Sequence, residues 1–256
     1  MLVSASPRRR YFRLLDSGSL VIDRSHIMWN IDAGNPVRFP VFSVLIDHSD
    51  GLFLFDSGYD RGTVEEFLAF EQPDQTEEQM LPAQLDLCGF GASDVSAVVN
   101  SHLHFDHCGG QRHLPDTVTW VGKEELRHCL VPEPFERLGY ADKVFHRPDS
   151  AYRWLEGDEV DFADGIRLLY TPGHTVGHYS LLLEREGTAP MLFPADVSYT
   201  RETWEKELIS GFHNDPTANF VSLRRVKHLA ERLGADVFFT HDMEAWESYK
   251  HAPDHY

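Results

Sequence analysis

The chain has 256 residues, 42% of them hydrophobic and 25% charged, the balance of a globular protein and a length that suits one large α/β domain or two small ones; with no Pro/Gly/Ser linker dividing it, a single domain over residues 1–256 is expected. Its formal charge is −18, from 23 Lys and Arg against 41 Asp and Glu, a field that repels phosphate backbones and sets nucleic acid aside as a partner. No apolar run approaches the roughly 20 residues that span a bilayer, the N-terminus lacks a signal-like apolar core, and the three cysteines form no regular framework, so a cytoplasmic protein without a membrane partner is expected.

In chain order, the apolar runs Val41–Asp47 and Gly51–Gly58 flank a polar His-Ser-Asp and predict a hairpin. Arg61–Phe70 has helical spacing at Val64, Phe67 and Leu68. The segment Glu71–Met80, rich in Glu, Gln and Asp, predicts a loop that can fold over a cleft, its acidic run solvated. A second helix follows from Met80 and stops at Gly89 and Gly91. Val95–Asn100 predicts a buried strand. The stretch "TVTWVG" predicts another strand, "KEELRHCL" a short helix, and Lys143–Asp164 carries no clear pattern. Strands follow in "GIRLLY", "YSLLLER" and "PMLFPAD". The clearest helix is Thr217–Gly234, with Phe220, Leu223, Val226, Leu229 and Leu233 on one stripe. "ADVFFTHD" predicts a closing strand. Two halves of this kind suit two sheets packed face to face with helices outside, an α/β sandwich.

Polar residues recur just after these strands: Asp56, His102, His174, Asp196 and His241. The densest group is "HLHFDH", His102 to His107. His102 and His104 are two apart, so an extended chain points both the same way, while Asp106 and His107 follow after a turn. Buried imidazoles and carboxylates at this density need compensation, and a metal ion supplies it. Five His and two Asp exceed the ligands of one structural zinc and match two ions sharing a carboxylate. Imidazole and carboxylate donors without a thiolate favour Zn²⁺, with Mn²⁺ or Fe²⁺ as alternatives. Cys108, beside His107, is read as a small buried residue rather than a ligand.

The stretch "SHLHFDHCGG" resembles the HxHxDH signature of the metallo-β-lactamase superfamily, and "TPGHTVGH", "PADVSYT" and "FTHD" follow in that family's order. Tyr199, three residues after Asp196, is similar to the tyrosine of its N-acyl-homoserine lactonase branch. Segments such as "GSLVIDRSHIMWN", "VRFPVFSVLIDH" and "PFERLGY" are more similar to the 4-pyridoxolactonases, which open the lactone formed in vitamin B6 breakdown. The resemblance implies an αββα sandwich and a dinuclear site. His102, His104 and His174 would hold one ion, Asp106, His107 and His241 the other, and Asp196 would bridge. Asp56 would orient ligands from behind, and His178 would be structural. The implied reaction is hydrolysis of a small lactone, foremost 4-pyridoxolactone to 4-pyridoxate and alternatively an N-acyl-homoserine lactone, by a monomer or homodimer. Asp106 would move a proton and Tyr199 would support the developing oxyanion, unless its hydroxyl is spent on backbone. His213, Arg224 and Trp29 are candidate substrate contacts, although a loop histidine, a solvated basic face shared with Arg225, and packing shared with Phe39 explain them as simply. A nuclease of this superfamily would need a basic groove. A flavin-linked diiron enzyme would replace His104 by Glu. Neither pattern is present.

Overall fold

A computed structural model describes residues 11–145, 148, 151–184 and 187–256. Strands β1 (Tyr11–Asp23), β2 (Pro36–His48), β3 (Gly51–Phe55), β4 (Val95–Val99), β5 (Val118–Gly122) and β6 (Tyr152–Leu155) form one sheet in that order. The first three pair antiparallel and the rest join parallel. Strands β7 (Glu159–Ala163), β8 (Ile166–Tyr170), β9 (Tyr179–Leu183), β10 (Met191–Phe193) and β11 (Asp236–Val237) form the second, antiparallel except for β10 with β11.

The inner faces meet through Phe12, Phe42, Val44, Phe55 and Val99 of the first sheet and Leu168, Leu181, Met191 and Phe193 of the second. Strand residues of the other parity face outward and are covered by helices. Leu45, Leu54 and Val98 pack on Leu81 and Leu85 of the helix Leu81–Leu87. Leu169, Leu182 and Leu192 pack on Leu223, Val226 and Ala230 of the helix Pro216–Leu233. This is the αββα sandwich that the resemblance implies, two sheets packed face to face with helices on their outer faces. Among the described residues no helix is long and apolar enough to cross a membrane.

The structure departs from expectation at β1, which has no counterpart in the predicted elements. Its register shifts between Asp16 and Ser19, so the burial alternation breaks and the period-two signal is lost. β2 begins at Pro36 rather than Val41 because its first residues pair with the end of β1. The helix from Arg61 ends at Phe67, and a turn Ala69–Glu71 follows. Val64 and Leu68 are buried, but Phe67 is exposed beneath the Lys143 ammonium. The unassigned stretch Lys143–Asp164 contains the end of a short helix (Asp142–Phe145), β6 and β7; its residues 146–147 and 149–150 lie outside the described residues. The closing strand shrinks to Asp236–Val237, and the chain beyond it carries His241. The long helix has both expected stops. Asp215 accepts the Thr217 and Ala218 amides at its start, and Gly234, in the left-handed region at φ 61°, ends it.

Candidate metal centre and its cleft

β3 and β4 end side by side, so Asp56 and the HxHxDH segment emerge at one edge of the first sheet. Asp56 sits at φ 56°, which turns its carboxylate back under the next loop. Its Oδ1 accepts the Ser101 amide at 2.7 Å, and its Oδ2 accepts the Ser101 hydroxyl and the His107 Nδ1 proton, each at 2.8 Å. His104 precedes the short helix Phe105–Cys108, which swings Asp106 and His107 to a neighbouring point. From the second sheet, the loop after β8 brings His174, the turn after β10 brings Asp196, and the chain after β11 brings His241. His174 donates Nδ1–H to the Phe212 carbonyl (2.7 Å) and His241 donates Nδ1–H to that of Pro40 (3.0 Å). With Nδ1 engaged in this way, each ring turns its Nε2 inward.

The seven candidate ligands converge. His102, His104, His174 and Asp196 form one group and Asp106, His107 and His241 another, all buried apart from His104, which is partly exposed in the cleft. His174 Nε2 lies 3.2 Å from His102 Nε2 and 3.0 Å from His104 Nδ1. Asp196 stands between the groups: Oδ2 is 3.2 Å from His174 Nε2, while Oδ1 is 3.1 Å from His107 Nε2 and 3.2 Å from His241 Nε2. Tetrahedral donors about 2.0–2.1 Å from zinc stand about 3.3 Å apart, so these separations fit ligation. Ring nitrogens facing one another lone pair to lone pair repel unless a cation lies between them. His107 Nε2 and Asp196 Oδ1 are buried with no hydrogen-bond partner, the orphan pair an ion would satisfy.

Electrostatics agree. Burial and the neighbouring rings hold His102 and His104 well below the usual imidazole range, which keeps their lone pairs available. Burial also opposes charge on His107, but Asp196, Asp106 and Asp56 outweigh it and raise that ring well above its ordinary value. His178 is not a donor to this centre: its Nδ1 meets the Thr171 hydroxyl at 2.8 Å and its Nε2 accepts the Asp196 amide at 3.2 Å, fixing the bridging residue from behind.

Above the cluster opens a cleft of about 750 Å³. Its walls include Trp29, Phe39, Phe70, Phe135, Leu138 and Tyr199. Tyr199 is buried, its ring centroid 4.8 Å from that of His241. Burial, with Asp196 and Asp106, pushes its phenol well above the ordinary range, so it stays a neutral O–H donor. His213 lines the cleft edge-on to Trp29, with ring centroids 4.5 Å apart. Arg224 does not reach the cleft. It lies on the solvent face of the long helix, tied to Glu207 at 2.9 Å and stacked on Phe220, so the expected substrate contact is corrected to a surface ion pair. Arg225 is likewise engaged elsewhere, at 2.9 Å from the Tyr170 carbonyl.

The buried carboxyls that the sequence does not single out are Asp60, Glu71, Glu125 and Glu136. Glu125 accepts the Leu103 amide (3.0 Å), the Gly177 amide (3.0 Å) and the Tyr140 hydroxyl (3.1 Å), tying the loop of His102 and His104 to that of His174. In "KEELRHCL" it is indistinguishable by type from its exposed neighbour Glu124. Glu71 belongs to the loop expected over a cleft, and it does line the cleft, only 5% exposed. Burial pushes its carboxyl up to about 8, with the Asp106 charge adding.

Residues 36–252 match the model of the metallo-β-lactamase superfamily. The N-acyl homoserine lactonase AttM of Rhizobium johnstonii is 31% identical over 255 residues, covering 95% of this chain and 97% of its own. The N-acyl homoserine lactonase of Bacillus cereus is 31% identical over 257 residues, covering 97% and 98%. A solved N-acyl homoserine lactone hydrolase, with the product N-hexanoyl-L-homoserine at its catalytic metal centre, superposes with a TM-score of 0.86 at 29% identity, covering 96% of this chain and 98% of that one.

Proposed function

Because this chain belongs to the metallo-β-lactamase superfamily, we propose that it is a dinuclear metal-dependent lactonase whose substrate is an N-acyl-homoserine lactone. The observation that carries the substrate is the cleft, a polar floor to which His104, Asp106, His174, Asp196 and His241 contribute, below walls on which Trp29, Phe70, Phe135 and Leu138 stand exposed. A charged centre suits the ring ester, and an apolar wall suits an acyl tail. The AttM and Bacillus relatives support the same substrate over the aromatic lactone.

His102, His104 and His174 would hold one ion, Asp106, His107 and His241 the other, and Asp196 would reach both. Two zinc ions suit these donors, with Mn²⁺ or Fe²⁺ alternatives. Bound there, such a pair supplies a nucleophile from water near neutral pH and polarises the lactone carbonyl. Tyr199 donates its O–H to the carbonyl oxygen as charge builds on it. Asp106 accepts the proton lost by the attacking water and delivers it to the ring oxygen as the C–O bond breaks. The single product carries a hydroxyl and a carboxylate.

One observation favours a second substrate, a compact aromatic lactone such as 4-pyridoxolactone. His213 donates Nδ1–H to the Ser210 carbonyl at 2.9 Å, which leaves Nε2 an acceptor for a ring hydroxyl. Rates on N-acyl-homoserine lactones of short and long chain, beside 4-pyridoxolactone, decide between them. Higher kcat/KM on the acyl series supports the first substrate; preference for the aromatic lactone overturns it.

A further inference from the structure

Glu71 stands out once the ligand cluster is set aside. It is 5% exposed, it lines the cleft, and its carboxyl makes no hydrogen bond or ion pair among the described residues. Burying a carboxyl without a partner costs free energy, whereas burying a hydrocarbon of the same size gains it. Nor is it left there by a slack chain. The Glu71 amide donates to the Leu68 carbonyl at 2.8 Å, and Gln72 is held in the left-handed region at φ 47°. Asp74 and Ser19 exchange backbone hydrogen bonds at 2.9 and 3.0 Å, and the Gln75 side chain donates to the Ser17 and Tyr59 carbonyls. The strap presents an unpaired carboxyl to the cleft in a fixed position.

The order of groups along this wall is informative. Asp106 belongs to the metal cluster, Glu71 lies near enough for the two carboxylates to repel, and Phe70 follows at the rim, 64% exposed. Along this stretch of wall lie a charged centre, a carboxyl without a partner and an apolar surface; the Glu136 carboxyl, which also lines the cleft, is already engaged by Asn214 and His128. An N-acyl-homoserine lactone has the same order: ring ester, amide on the adjoining carbon, apolar tail. We propose that Glu71 is a specificity-determining residue that accepts the amide N–H of the substrate. A carboxyl oxygen accepts that proton whether the acid is ionised or neutral, so the contact does not depend on charge state. This rests on the acyl-homoserine lactone as substrate.

The test compares Glu71→Gln and Glu71→Leu with the unaltered protein on two substrates: N-octanoyl-homoserine lactone and an alkyl-γ-lactone of similar length without an amide. Glutamine keeps an acceptor; leucine removes it. For Glu71→Leu, KM on the amide lactone should rise about tenfold with kcat within about twofold, the value of one buried hydrogen bond. On the amide-free lactone KM should stay within about twofold, and Glu71→Gln should stay near the unaltered protein on both. Calorimetric Kd for ring-opened N-octanoyl-homoserine should weaken in parallel with KM. Equal losses on both lactones, or none on either, overturn the proposal. If the unaltered protein opens the alkyl lactone but not the acyl-homoserine lactone, the substrate assignment fails and the proposal with it, an outcome distinct from equal losses. Unchanged bound metal and a thermal midpoint no lower than that of the unaltered protein show that Glu71→Leu is folded.

Discussion

Asp56→Asn separates a residue that shapes the metal centre from one that merely fills space. Asp56 accepts three protons, from the Ser101 amide, the Ser101 hydroxyl and His107 Nδ1, at 2.7 to 2.8 Å. An amide cannot accept all three. With its NH₂ towards His107 it donates to Nδ1 and drives the ring proton to Nε2, the atom that faces Asp196. With its NH₂ towards Ser101, two N–H donors meet and a buried bond is lost. Disturbing the group behind an imidazole ligand weakens metal binding about 10–100-fold, or about 1.4–2.7 kcal/mol. Zinc titration against a competing chelator should show one of two ions weakened by that factor and the ion held by His102, His104 and His174 unchanged. Two ions bound with unaltered affinity would refute the tautomer argument.

Gly139 leaves room for His104, whose ring an added Cβ would overlap, so Gly139→Ala should lower kcat/KM at least about tenfold with the far-UV spectrum unchanged. Arg224→Ala should leave both KM and kcat unchanged in a steady-state assay, because its guanidinium is spent on Glu207 at the surface. Glu71 also has a signature in stability. It binds its proton in the folded chain up to about 8, whereas the unfolded chain releases it near 4.5. Between those values the folded state holds more protons, so stability falls as pH rises, by up to about 1.4 kcal/mol per pH unit. Denaturant titrations of the metal-stripped protein should show that slope reduced in Glu71→Gln.

Much of the centre was legible because its chemistry is carried by residue types that are costly to bury unaccompanied. His102, His104, Asp106, His107, His174, Asp196 and His241 all follow apolar runs, and the edge of a two-sheet sandwich is where such runs end together. The surroundings were less legible, for physical reasons. β1 hides behind the register shift at Asp16–Ser19, which breaks the alternation that marks a strand. Arg224 and Trp29 were equally good candidates by type, yet the helix turns one to solvent and a loop turns the other to the cleft. Glu71 and Glu125 look like any acidic residue of a soluble chain until tertiary packing buries them. The choice between an aromatic slot and an acyl channel depends on side chains from several separate segments, including Phe70, Phe135 and Leu138, whose common wall exists only after folding.

Metal content set against activity bears most directly on the centre. Protein purified without added chelator should carry about two transition-metal ions per chain; stripping them should abolish lactone opening, and restoring zinc should recover it. A preparation free of metal that opens lactones at the full rate would contradict the account.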